Sequence, residues 1–172
     1  DNDGYMDLVF GQNPIDSDWN RDLPIFWGDS SSNYQTYTTV EAMGCIYPQV
    51  VEAGNGDGLD LICPNLKGYT NLQSNDYDVN GVLTETPPSY IYWGGAGHRY
   101  NELSRKSLDA GGALHALSAD FNENGHPDLL FTPWFNSNFK LYWDDPNDAI
   151  TDYVTGSATS QLAAPVAIGS GF

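Results

Sequence analysis

An all-β fold of repeated four-stranded sheets is predicted by three observations. A loop motif occurs three times, an aromatic strand recurs in phase with it, and the composition is poor in helix formers. The loops are Asp1-Asn2-Asp3-Gly4-Tyr5-Met6-Asp7, Asn55-Gly56-Asp57-Gly58-Leu59-Asp60, and Asp120-Phe121-Asn122-Glu123-Asn124-Gly125-His126-Pro127-Asp128. The aromatic strands are Leu23-Pro24-Ile25-Phe26-Trp27-Gly28, Ser89-Tyr90-Ile91-Tyr92-Trp93-Gly94 and Phe139-Lys140-Leu141-Tyr142-Trp143-Asp144. Gly, Asn, Ser, Thr, Asp and Tyr are abundant, while only 17% of the 172 residues are charged. Such a mixture suits short strands joined by tight turns, because β-branched and aromatic residues fit a pleated surface and Gly, Asn and Asp fit the turns.

Each cycle reads as a loop followed by four strands. The first strand leaves the loop as an apolar run, at 8–10, 61–62 and 129–131. The second is the aromatic strand, ended by a Gly/Asp turn. The third falls at 34–42, 100–110 and 153–162, and the fourth is a small-residue strand at 44–53, 112–119 and 164–170. The aspartates that close the loops, Asp7, Asp60 and Asp128, are spaced by 53 and then 68 residues. Four strands in such a period is the size of a β-propeller blade. The expected organisation is therefore about three blade-like repeats, at 1–53, 54–119 and 120–172, with a surface insertion at 64–88 accounting for the longer second period.

Oxygen side chains at alternate positions, then a glycine that allows a sharp turn, are what a hard cation such as Ca²⁺ takes. In the third loop Asp120, Asn122 and Asn124 offer side-chain oxygens, His126 its carbonyl, and Asp128 a carboxylate. The motif is not an EF-hand, since Phe131 stands where that loop requires a bidentate Glu. The first loop offers Asp1, Asp3 and Asp7 with the Tyr5 carbonyl. The second reads as one residue short, with Asn55, Asp57 and Asp60 remaining and Ala53 in place of the leading acid. Glu52 is a possible substitute there. Two carboxylates with two amides predict modest affinity, matched to extracellular calcium.

These segments resemble a known family. The Asp-Phe-Asn-Glu-Asn-Gly-His-Pro-Asp-Leu-Leu loop, the Ser-Tyr-Ile-Tyr-Trp-Gly-Gly strand and the Gly-Gly-Ala-Leu-His-Ala-Leu-Ser-Ala-Asp approach are similar to FG-GAP/VCBS-type repeats. Those are calcium-binding propeller blades found in integrin α-subunit heads and in many secreted bacterial proteins. The resemblance implies a rigid, non-catalytic platform with an adhesive or structural role, whose loops contact a protein or glycan ligand. A lectin-like propeller is the alternative, using Trp19, Tyr69, Tyr77, Trp134 and Phe135 as stacking surfaces. A polysaccharide-active enzyme on the same scaffold is a third.

Charge narrows the partners further. Twenty-three acids against six Lys and Arg give a formal charge of −17, which leaves almost no cations for nucleic-acid phosphates. The longest apolar run, 162–168, contains Pro165 and is too short to span a bilayer. His98, His115 and His126 have no zinc or triad spacing, and Gly28-Asp29-Ser30 lacks the glycines that follow a protease nucleophile. His115, alternating with apolar residues, is expected to be a core or channel-facing side chain. Cys45 and Cys63 bracket the second loop. If that loop closes a hairpin, they are expected on adjacent antiparallel strands, roughly opposed, where a disulfide is geometrically possible and two buried thiols are the alternative. Residues 168–172, laid on the third repeat, take the end of an approach strand and the first two loop positions, and Asp1 takes the next. The expectation is a longer polypeptide, or one period of an assembly joined through the chain ends.

Overall fold

The structure is a computed structural model that describes residues 3–13, 20–31, 33–53, 58–66, 87–95, 100–133, 138–144, 150 and 153–157. Among these residues the chain is all β apart from one 3-10 turn at Glu102–Ser104. β1 (Leu8–Val9), β2 (Leu23–Trp27) and β3 (Thr36–Val40) form a first sheet in that order. β4 (Gln49–Val51), β5 (Asp60–Cys63), β6 (Ser89–Tyr92) and β7 (Arg105–Leu108) form a second. β8 (Ala113–Ala119), β9 (Asp128–Pro133), β10 (Asn138–Tyr142) and β11 (Tyr153–Ser157) form a third. Every pairing is antiparallel between consecutive strands, so each sheet is a meander. No helix among the described residues is long and apolar enough to cross a membrane.

The small-residue strands join the sheet that follows them. β4 pairs with β5 and β8 with β9, with Val51 opposite Asp60 and Ala119 opposite Asp128. Each of these two loops is therefore the turn of a hairpin, and the sheets run one strand ahead of the divisions at 53 and 119. The expected strand 44–53 shrinks to β4 because Gly44 takes a positive φ of 70° and Pro48 interrupts the ladder. The expected strand 100–110 starts late because Asn101 Oδ1 accepts from the Leu103 amide (3.0 Å) and curls the chain first. The strand expected at 164–170 and the insertion from 67 to 86 lie outside the described residues.

Two apolar cores flank the second sheet, and strand alternation assigns residues to them. Leu61, Cys63, Tyr90 and Tyr92 pack with Leu23, Ile25, Trp27, Val40, Ala42 and Cys45 of the first sheet and its exit. Ile62, Ile91 and Leu108 project the other way, onto Ala113, Ala116, Leu129, Phe131 and Tyr142 of the third sheet. β5 and β6 are consequently buried at every position. Each fully buried Leu, Ile or Phe contributes about 1.5–3 kcal/mol of transfer free energy, so this middle sheet anchors both interfaces.

Tyrosine hydroxyls tie the second and third sheets to the crossovers before them. Tyr92 donates to the Glu41 carbonyl and Tyr142 to the Asp109 carbonyl, both at 2.6 Å. A cation reinforces each link: Arg105 pairs with Glu41 (2.6 Å) and lies over the Tyr90 ring, while Lys140 pairs with Asp109 (2.7 Å). The first sheet has Phe26 at the corresponding place and so lacks the hydroxyl.

Candidate functional site

The third loop turns its oxygens inward. Asp120 accepts from the Asn124 amide through Oδ1 (3.0 Å) and from the Gly125 amide through Oδ2 (2.8 Å). Asn122 Oδ1 also accepts from the Asn124 amide (3.1 Å), and Asn124 Oδ1 from the His126 amide (2.8 Å). Three side chains thus aim oxygen at the concave side of one exposed turn. Its curl requires left-handed backbone at Glu123 (φ 59°) and at Gly125 (φ 90°), the latter cheap for glycine. On the far side, Asn124 Nδ2 donates to the Asp144 carbonyl (3.1 Å), which fastens the loop to the end of the aromatic strand.

The first loop repeats the second half of this turn. Asp3 Oδ1 accepts from the Tyr5 amide (2.8 Å), as Asn124 does from His126, and Gly4 sits at φ 91°. Asp1 lies outside the described residues, as do Asn55 and Asp57 of the second loop.

The closing aspartates have a role that the sequence reading did not assign. Asp60 and Asp128 are fully buried. Asp60 accepts from the Ala53 amide (2.8 Å) and the Gly94 amide (2.7 Å); Asp128 accepts from Phe121 (2.9 Å) and Asp144 (3.0 Å). Asp7 accepts from Gly28 at 2.8 Å. Each carboxylate is therefore a clasp that holds the residue after the Trp strand, and in two loops also the residue at the loop entrance. Charge-assisted bonds of this kind are roughly twice as strong as neutral ones. The recurring Trp-Gly signalled this in the sequence: a Cβ at Gly94 would lie 1.9 Å from the Leu59 carbonyl oxygen, and one at Gly28 2.2 Å from that of Met6.

Clasp register corrects the sequence alignment of the second loop. Ala53 occupies the place of Phe121, since each donates its amide to the aspartate seven residues on. The position matching Asp120 is thus Glu52, and the loop is not a residue short. Alternate places that hold Asn122 and Asn124 in the third loop then fall on Gly54 and Gly56. Residue likeness alone puts Ala53 at the leading position, one place off, because the register is set by strand pairing, Val51 opposite Asp60 as Ala119 is opposite Asp128.

All the third-loop donors are hard oxygens, two carboxylates with two amides and a carbonyl, and this set fits Ca²⁺. Carboxylate oxygens carry two lone pairs each, so the Asp128 clasp and metal ligation are compatible. Among the described residues no three Asp, Glu, His or Cys side chains converge, so amide oxygens would carry part of any cage.

Other candidates are placed as follows. His115 stacks on Tyr47 (4.3 Å between centroids, 20° between planes), and its partial burial lowers its pKa. His98, Trp19, Tyr69, Tyr77, Trp134 and Phe135 lie outside the described residues. A cavity of about 390 Å³ opens between the first and second sheets. Tyr5, Met6, Leu8, Val50 and Leu59 line it and are all substantially exposed. Tyr100 closes one wall, donating to the Leu59 carbonyl (2.6 Å) and stacking on Trp27; burial pushes its pKa up to about 12. Compared with models of protein families, with curated proteins and with solved structures, the chain matches none.

Proposed function

We propose that this chain is a non-catalytic, calcium-binding module of propeller-type blades that acts outside cells as an adhesive or structural element. The observation that carries the reading is the third loop, where Asp120, Asn122 and Asn124 direct oxygens into one turn whose latter half recurs in the first loop. Three successive meanders, the middle one buried on both faces, support blade-like stacking. The similarity of the loops and aromatic strands to FG-GAP/VCBS-type repeats supports the extracellular, adhesive assignment.

When bound, Ca²⁺ neutralises the loop carboxylates and holds the hairpin closed. The chain's own residues preset that closure: inward oxygens shape the turn, and the buried aspartate fixes its two ends. Partner contact is assigned to the cavity beside the first loop, where exposed Tyr5, Met6 and Leu59 cluster.

At millimolar calcium and dissociation constants of about 0.1–1 mM, each site stabilises the fold by roughly 0.4–1.4 kcal/mol. That corresponds to a rise in Tm of roughly 1–5 °C per site. Thermal unfolding in calcium and in excess EDTA measures it, with Asp120→Ala abolishing the third-loop share. Coincident melting curves, together with no heat on titrating CaCl₂ into the protein, would rule out the calcium reading.

A further inference from the structure

Cys45 and Cys63 are free thiols, both fully buried and packed in the same core cluster between the first and second sheets. A hydrogen bond ties their segments together two residues from each cysteine. The Met43 amide donates to Asn65 Oδ1 (2.9 Å), and Asn65, itself fully buried, donates Nδ2 to the Pro88 carbonyl (2.8 Å). β5 is flanked by β4 and β6, with Gln49 opposite Ile62 and Tyr90 opposite Cys63, so Cys45, which lies before β4, shares the core cluster with Cys63 rather than a strand pair. The Cys45 carbonyl also accepts from the Gln12 amide (2.9 Å), which fixes this crossover against the first sheet. Burial, and next the neighbouring Cys63 thiol, raise the pKa of Cys45.

We infer that Cys45 and Cys63 close into a disulfide when the chain folds in the presence of a thiol–disulfide pool, stapling the crossover to β5 around the second loop. One thiolate attacks glutathione disulfide, breaking its S–S bond and releasing one glutathione thiolate. The second thiol, losing its proton to solvent, attacks the mixed disulfide at the protein sulfur and releases the other. Two protein thiols are oxidised, one glutathione disulfide is reduced to two glutathiones, and the two protons end on them. Buried thiols with little thiolate react slowly once the sheets have packed, so the bridge forms during folding.

The position of the pair has a physical logic, which rests on the calcium reading of the loops. The second loop has Gly54 and Gly56 where the third has Asn122 and Asn124. The hairpin with the poorest oxygen cage is thus the one bracketed by cysteines. A covalent ring through residues 45–63 restricts the unfolded chain as a cation would favour the folded one.

The test refolds the full chain in reduced and oxidised glutathione, then denatures it, alkylates free thiols and maps peptides without reduction. A Cys45–Cys63 linked peptide, lighter by two hydrogens than its separate halves, is expected. A ring of this size should raise Tm by roughly 6–12 °C over the same chain refolded in dithiothreitol. The increment should persist in EDTA and vanish in the Cys45→Ala/Cys63→Ala double variant. Recovery of both cysteines alkylated after oxidative refolding, or a bridged chain that melts no higher than the reduced one, would overturn the inference. A bridged, stabilised chain whose melting ignores calcium upholds the staple while removing the calcium reading, so the two failures are distinguishable.

Discussion

Asp60 lies fully buried between the amides of Ala53 and Gly94, and Asp128 does the same between Phe121 and Asp144. Replacing either with Ala leaves two buried donors without their acceptor, at a cost of roughly 3 kcal/mol. Urea unfolding separates the clasp from the ion. Asp60→Ala should lose the same stability in calcium and in EDTA, whereas Asp128→Ala should lose more in calcium if its loop holds the ion as proposed. Equal losses in both media for both variants would make the aspartates clasps only. His115 gives a pH signature at the same scale. Its folded pKa is depressed by burial, so the native state holds the neutral ring more strongly than the unfolded chain does. The stability it contributes is complete above the unfolded value of about 6.5 and is lost as pH falls through the lower folded value. An NMR titration of the His115 ring should show a midpoint below that of a free histidine. His115→Phe, which keeps the stack on Tyr47, should flatten that part of the stability–pH curve.

Between elements, contact depends on backbone approach as much as on side chains. β5 and the end of the aromatic strand meet where Gly94 faces the Leu59 carbonyl, and nothing larger than hydrogen fits there. Gly94→Ala must push the two segments apart and stretch the 2.7 Å bond from Gly94 to Asp60. The expected cost is about 2 kcal/mol or more, near the top of the overpacking range, or a fall of roughly 4–8 °C in Tm. Gly4→Ala is the control. It meets nothing within 4 Å and pays only for its φ of 91°, about 1–2 kcal/mol. A Gly94→Ala melt that overlays the Gly4→Ala melt would remove the close-approach argument. The tyrosine links work at this level too: Tyr92 and Tyr142 reach back to the crossover before their own sheet, so neighbouring meanders are joined by hydrogen bonds as well as by apolar packing.

Across the whole molecule, the second sheet belongs to two cores at once. Neither outer meander keeps its apolar face covered without it, so unfolding should be a single transition. Removing calcium should displace that transition without splitting it, which a calorimetric scan in EDTA reads directly. Two transitions on chelation would mean that the sheets hold together through the loops rather than through their cores.

Much of this was legible along the chain. Alternating apolar residues and Gly/Asn/Asp turns specified strands, because side-chain direction in a strand depends only on parity. The repeated Asp-Leu and Trp-Gly signatures marked where each sheet turns. Local sequence could not tell which sheet a strand joins: β4 and β8 follow one repeat and pair into the next, a choice made by long-range hydrogen bonding. Nor could it show that the closing aspartates hold backbone amides, since those donors lie up to 34 residues away. Glu52, not Ala53, occupies the leading position of the second loop for the same reason, as register is set by strand pairing and not by residue likeness. Periodicity and turn chemistry are local and were written in the order of residues; burial, pairing and the clasps depend on what the folded chain brings together, and only the tertiary structure decided them.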